Sequence, residues 1–135
     1  MGLSAFLFSS CVSRSELRII STEKTLTSFD WTAEEIKKDI AIKTLTSVPE
    51  ASYHLARLNA AEKPHIHRDH DLAVFILKGK ARMHLANRVV EVRPGDVIEV
   101  GRGIVHWAER VGKEPAYAYV IFTPAFDGKD AVPAK

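Results

Sequence analysis

The chain has 135 residues, of which 46% are hydrophobic, so it has the length of one domain and enough apolar side chains for one sizeable core. Its formal net charge is only +2 and the basic residues are scattered, which excludes the basic stripe typical of a nucleic-acid-binding protein. The single cysteine cannot form an internal disulfide and the sequence has no CxxC pair, so any bound metal must be held by histidine and carboxylate.

Residues 1–30 are predicted to form an extension ahead of the folded domain, which we place at residues 31–135. A largely apolar run over residues 3–8, two serines and then Cys11 follow the order found at the end of a bacterial lipoprotein signal. Two localisations therefore stay open: a periplasmic lipoprotein with a lipid anchor at Cys11, or a cytoplasmic protein with an N-terminal extension. Residues 17–20 form an apolar cluster that favours an edge strand within this extension.

The folded domain is predicted to begin with a short helix and to continue as a β-sheet protein. Thr32 and Glu35 have the spacing of a capping box, in which each side chain bonds a free backbone N–H of the first helical turn. From Lys38 to Thr123 apolar and polar residues then alternate with period two, and Gly, Pro or Asn stand at the breaks. Strands are predicted near residues 40–46, 52–59, 64–67, 72–77, 81–85, 89–92, 97–100, 105–110 and 116–122. Many short strands at this spacing predict an antiparallel sandwich or barrel, with residues 123–130 crossing its surface and Phe126 tucked in.

Histidines carry the strongest chemical signal in the sequence. Because residues two apart on a strand point to the same side, His65 and His67 present both imidazoles to one face. His70, Asp71 and the distant His106 are further candidate ligands, since imidazole and carboxylate suit Zn, Fe, Mn, Ni or Cu. We interpret the other strand histidines, His54 and His84, as ordinary side chains with satisfied hydrogen bonds.

The spacing of these residues resembles the first cupin motif, G(X)5HXH(X)3–4E(X)6G. Asn59 stands in the place of the first glycine, five residues precede the His65 and His67 pair, and the motif ends at Gly79. The glutamate is missing. Its place falls on Leu72 when counted back from Gly79, and on Asp71 when counted forward from His67.

The second cupin motif, G(X)5PXG(X)2H(X)3N, is also matched. Gly95, Gly103 and His106 fall in register, while Gly101 replaces the proline and Arg110 the asparagine. The resemblance implies an all-β double-stranded β-helix, or jelly-roll barrel, of the small single-domain bacterial kind. It also implies one divalent transition metal ion held by His65, His67 and His106.

The fourth ligand stays open between Asp71, which we favour, and His70. A slip of one residue reverses the facing of a strand, so Asp71 reaches the metal only if a bulge or loop lies between it and Val74.

Family membership does not select a reaction, since cupins include enzymes and noncatalytic binding proteins. The pocket is expected to be apolar, which favours a metal-dependent, dioxygenase-type oxidoreductase acting on a small molecule. The alternative is a noncatalytic protein that binds a small ligand or a metal, and a sugar isomerase comes third. A homodimer is expected through the outward face formed by Ala73, Phe75 and Leu77. Inward positions are expected at Leu72, Val74 and Ile76 and, depending on facing, at Met83, Leu85, Val105 or Trp107, with Arg57, Arg82 and His84 at the pocket rim.

Overall fold

The computed structural model describes residues 17–27 and 29–134, which divide into two units between Asp30 and Trp31. In the first unit, strands β1 (Ile19–Ile20) and β2 (Thr25–Leu26) form a separate two-stranded antiparallel sheet. The predicted strand is therefore present, but it pairs within the extension. Cys11 and the lipoprotein-like pattern around it lie outside the described residues, so the lipid anchor stays a prediction. No helix in the described ranges is both long and apolar enough to cross a bilayer.

The second unit opens with the predicted helix, α1 (Ala33–Lys37). Its capping box is complete: the Glu35 N–H donates to Thr32 Oγ1 at 3.2 Å, and the Thr32 N–H donates to Glu35 Oε2 at 2.8 Å. Both bonds satisfy N–H groups that the helix itself leaves free. The helix prediction is confirmed.

Two five-stranded antiparallel sheets make up the rest of the unit, and the predicted all-β double-stranded β-helix is confirmed. The sheet orders are β12-β5-β10-β7-β8 and β3-β4-β11-β6-β9, with the strands β3 (Ile40–Val48), β4 (Ala51–Leu58), β5 (His65–His67), β6 (Asp71–Lys78), β7 (Lys80–Leu85), β8 (Arg88–Val92), β9 (Val97–Val100), β10 (His106–Val111), β11 (Ala116–Thr123) and β12 (Ala131–Pro133). Each of the strands predicted after the helix is present. The prediction works because alternating apolar and polar residues indicate a strand with one buried and one exposed face.

Strand β6 shows how the sheets face each other. Leu72, Val74 and Ile76 are buried in the core that the two sheets share. The intervening residues of the strand are half-buried and point the other way, as the pleat requires. The homodimer expected through that outward face stays a prediction.

The C-terminal segment departs from expectation after Asp130. Phe126 is half-buried and stacks on Phe122 with ring centroids 4.5 Å apart, in agreement with the predicted crossing. Pairing then resumes, because β12 adds an edge strand beside β5 with Ala131 opposite His67 and Pro133 opposite His65. The sequence interpretation missed this strand, since three residues are too few to show a period.

Candidate metal centre

His65, His67 and His106 lie together on one face of the β12-β5-β10-β7-β8 sheet. His65 and His67 share this face because they are two residues apart on β5, and His106 on β10 is the direct cross-strand partner of His65. The ring centroids are separated by 4.4 Å for His65 and His106, 5.0 Å for His65 and His67, and 5.3 Å for His67 and His106. One ligand nitrogen from each imidazole lies within 4.8 Å of the other two. The structure thus brings these three candidate ligands together.

The outer nitrogen of each imidazole is held by a hydrogen bond. His65 Nδ1 lies 2.8 Å from the Lys63 carbonyl and His106 Nδ1 lies 2.9 Å from the Ile104 carbonyl. A carbonyl oxygen can only accept, so both Nδ1 atoms carry the proton and both Nε2 atoms keep their lone pairs. His67 Nδ1 lies 3.2 Å from Asp130 Oδ1, which has the same effect. Three free Nε2 lone pairs, fixed from behind, are a donor set that fits a divalent transition metal.

Burial keeps the two inner imidazoles neutral. His67 is 5% exposed and His106 is 2% exposed. Burial lowers the pKa of His106 to about 4, and the neighbouring His65 and His67 act in the same direction. Burial also lowers the pKa of His67, despite the opposing bond to Asp130. A neutral imidazole is the form that binds a metal, so burial favours the metal-binding form of His67 and His106.

Asp71 does not join this cluster. Strand β6 pairs without interruption from Asp71 to Val74, so the bulge that would turn Asp71 inward is absent, and Asp71 faces away from the buried Leu72. Its carboxylate accepts the backbone N–H of Arg102 at 3.0 Å and pairs with the Arg102 Nε at 3.3 Å. The carboxylate that the resemblance implied is therefore bound elsewhere.

His70, the alternative fourth ligand, is buried but has both ring nitrogens engaged. Its Nδ1 donates to Asp130 Oδ2, and its Nε2 donates to the Ala125 carbonyl at 3.0 Å. Burial opposes a charge here, but the bonds to Asp130 and Ala125 outweigh it and raise the pKa of His70. An imidazole that donates from both nitrogens has no lone pair left for a metal.

Two acidic residues near the cluster escaped sequence reasoning. Asp130 is buried and lies behind His67 and His70, although it is 63 residues from His67 in sequence. Glu62 lines the cavity described below and accepts the Ala108 N–H at 2.9 Å. Burial raises the pKa of Glu62, while His65 and the Ala108 N–H oppose the rise. Neither residue stands at a specified position of the two motifs, so the sequence gave no signal for either of them.

The cluster opens onto a cavity of about 510 Å³ between the two sheets. Its wall is largely apolar and includes the predicted inward residues Leu72, Val74, Ile76 and Met83. Among the described residues, the charged side chains that line it are Asp39, Glu62 and Lys63. The volume lies in the range of small-molecule sites.

The polar residues expected at the rim are directed elsewhere. Arg57 donates to the Ile36 carbonyl at 3.2 Å, and Arg82 pairs with Glu109 at 2.6 Å. His84 stacks on Trp107 with ring centroids 4.1 Å apart, and neither residue is among those that line the cavity. His54 is a satisfied core histidine, as predicted. The same prediction is wrong for His84, whose buried Nε2 lies 3.5 Å from Glu109 Oε1 and has no hydrogen-bond partner among the described residues.

The metal-free protein is expected to lose stability as the pH falls from about 6.5 to about 4, because of His106. The unfolded chain binds a proton on this imidazole near its ordinary pKa of 6.5, whereas the buried side chain stays neutral down to about 4. Protons therefore favour the unfolded state throughout this interval, at a cost on the order of 3 kcal/mol. Denaturant unfolding with a chelator at several pH values measures the slope.

His106→Gln supplies the comparison for this pH dependence. The variant should show a shallower slope than the wild type between the same pH limits. His70, whose raised pKa gives a slope of opposite sign, is present in both proteins and cancels. Equal slopes in the two proteins would contradict the assignment of a neutral, buried His106.

Comparison with known proteins places this geometry in a family. The family model described as "Cupin domain" matches residues 55–122, which contain all three clustered histidines. An uncharacterised protein of Aquifex aeolicus (strain VF5) is 33% identical over 95 residues, covering 70% of this chain and 78% of the relative.

Solved structures agree on the fold. KdgF from Halomonas sp. superposes with a TM-score of 0.65 at 21% identity, over 73% of this chain and 89% of that one. A conserved protein with a double-stranded β-helix domain from Klebsiella pneumoniae subsp. pneumoniae gives a TM-score of 0.63 at 19% identity, over 80% of this chain and 99% of that one. These structures agree with the fold, and the family model, which matches half of the chain, shows that the chain belongs to the cupin family.

Proposed function

We propose that this cupin binds one divalent transition metal ion through His65, His67 and His106 and is a metal-dependent enzyme acting on a small, largely apolar molecule. One observation carries the proposal: three imidazoles, each held by a hydrogen bond at Nδ1, converge with their Nε2 atoms at the wall of a largely apolar cavity of about 510 Å³. Neither the ion nor the reaction follows from the fold alone.

The donor set favours an ion with accessible coordination positions. Three protein nitrogens leave room for further ligands on Fe, Mn, Ni, Zn or Cu, and a bound ion would supply Lewis-acid or redox chemistry there. The protein holds the imidazoles in one tautomer, and the Phe122 ring packs edge-on against His67 at 5.2 Å. Such apolar packing shields His67 from water and strengthens its electrostatic interactions.

The cavity wall favours a substrate of low charge. Among the described residues, Lys63 is the one basic residue other than histidine that lines the cavity. A sugar phosphate would call for clustered basic side chains beside the metal, so the sugar isomerase ranks below an oxidoreductase of dioxygenase type. The carboxylate of Glu62 is placed to accept or return a proton of a bound substrate, because it lines the same cavity as the three histidines.

Elemental analysis of the purified protein, followed by oxygen-uptake assays with catechols, thiols and diketones, tests the proposal. We expect one equivalent of a transition metal, and oxygen consumption with at least one of these classes. One equivalent of tightly held zinc without turnover would instead support the noncatalytic alternative. Failure to bind any of the five ions after incubation with each would overturn the proposal.

Ala118→Phe separates the cavity from the metal centre. Ala118 lines the cavity on β11, four residues from Phe122 and hence roughly 13 Å along the strand from the ring that contacts His67. The larger side chain should occupy part of the cavity and reduce turnover more than tenfold, while metal content stays at one equivalent. Turnover equal to that of the wild type would show that substrate does not enter this cavity.

A further inference from the structure

Asp130 contacts the candidate metal centre from behind. The residue directly precedes β12, and its side chain is buried. Oδ1 accepts from His67 Nδ1 at 3.2 Å, while Oδ2 accepts the Asp69 N–H at 3.0 Å and also the His70 Nδ1–H. Both oxygens are therefore occupied by donors, which fixes the carboxylate in one orientation.

His67 differs from the other two histidines in how it is held. His65 and His106 bond carbonyls two residues earlier in their own strand region, so the local backbone sets their orientation. His67 instead depends on a side chain 63 residues away. The pairing of Ala131 with His67 brings that side chain into reach. Of the three imidazoles, His67 is thus the one whose hydrogen-bond partner a single substitution can remove.

His70 holds the Asp130 carboxylate from the other side. Its Nδ1 bonds Oδ2 of Asp130 and its Nε2 bonds the Ala125 carbonyl at 3.0 Å, so the His70 ring is itself fixed at both nitrogens. With Oδ2 engaged in this way, Oδ1 remains directed at the Nδ1 of His67.

We propose that Asp130 is a positioning residue of the metal centre, which holds His67 in the Nδ1–H tautomer and aims its Nε2 at the site shared with His65 and His106. This inference rests on the proposed metal-binding function. In this chain the cupin motif lacks its glutamate after His67. The Asp130 carboxylate, 63 residues later, acts instead through its hydrogen bond with His67 and does not bind the ion itself. Partners of this kind orient ligands and raise their basicity.

Asp130→Asn tests the inference, because an amide cannot satisfy all three donors. Whichever way the side chain turns, its NH₂ group faces an N–H of His67 or the N–H groups of Asp69 and His70. We expect affinity for Zn(II) and Co(II), measured by competition with a chromophoric chelator, to fall roughly 10- to 100-fold. The visible absorption bands of bound Co(II) should shift as well. Asp127→Asn is the matched control, since this exposed carboxylate in the same segment accepts the Lys129 N–H. The metal affinity of this variant should stay within about twofold of the wild type.

The possible results separate the two proposals. Unchanged affinity and Co(II) spectrum in a folded Asp130→Asn protein, with the wild type binding metal, would overturn this inference alone. A wild type that binds neither ion would overturn the proposed function and this inference with it. If the variant does not fold, nitrogen-15 NMR of the metal-free wild type decides: we expect a slowly exchanging Nδ1–H on His67, and an Nε2–H tautomer would refute the assignment.

Discussion

Replacing His106 with glutamine is expected to reduce the affinity for divalent transition metals by more than the roughly 100-fold that loss of an outer-shell partner costs. His106 supplies one of the three clustered nitrogens and is the only one of them on β10. Its removal would leave the two imidazoles of β5 as the remaining nitrogen ligands of the cluster. Calorimetric titration with Zn(II) and elemental analysis after dialysis measure the loss.

His54→Gln is the matched control for this experiment. His54 is also a buried strand histidine, at 3% exposure, but it bonds Ser52 Oγ at 2.7 Å and Thr44 Oγ1 at 3.2 Å. Its substitution should lower the free energy of unfolding without changing the metal stoichiometry. If His106→Gln binds one equivalent of metal with wild-type affinity, the ion does not bind at the histidine cluster.

Replacing Gly79 with alanine is expected to destabilise the protein by about 2 to 5 kcal/mol. Gly79 links β6 to β7 with φ +76°, in the left-handed region that L side chains rarely adopt. A Cβ atom there would lie 2.6 Å from the Pro115 carbonyl oxygen and 2.8 Å from the Ala116 Cα. Both neighbours are backbone atoms, so no side chain can rotate to make room and the strands themselves must shift.

Gly95→Ala isolates the conformational part of this cost. Gly95 also has a positive φ of +98°, but a Cβ there meets no atom within 4 Å. We expect a loss of only about 1 to 2 kcal/mol for this variant. Urea unfolding of both metal-free proteins gives the comparison, and equal losses would show that the contact with β11 is relieved without penalty.

The strands and the histidine cluster could be predicted because each depends on a short-range pattern. Alternation along β6 identified Leu72, Val74 and Ile76 as inward residues, and the structure buries all three. The same period placed His65 and His67 on one face. The spacing of the second cupin motif then identified His106 as a further ligand, although β10 is far from β5 in the sequence.

The remaining features depend on long-range contacts, which the alternation of apolar and polar residues along a strand does not reveal. Asp71 was favoured on motif spacing, but its uninterrupted pairing with Thr123 turns the side chain outward to Arg102. Asp130 follows a turn-rich stretch and is brought to His67 only by the pairing of β12 with β5. Such long-range register is decided by the whole sheet, so a local reading of the chain cannot supply it.

The cavity also has a consequence for how this small domain can be stabilised. Protein interiors are close-packed, and voids much larger than a water molecule are rare. Here short side chains from both sheets keep the space open, among them Ala56, Ala81 and Ala116, which are buried in the core and line the void. A larger apolar residue at any of them would bury more surface and strengthen the fold by roughly 25 cal/mol per Å². Filling the cavity would thus raise stability at the expense of the space open to a bound molecule, so added rigidity and room for a ligand are opposed in this domain.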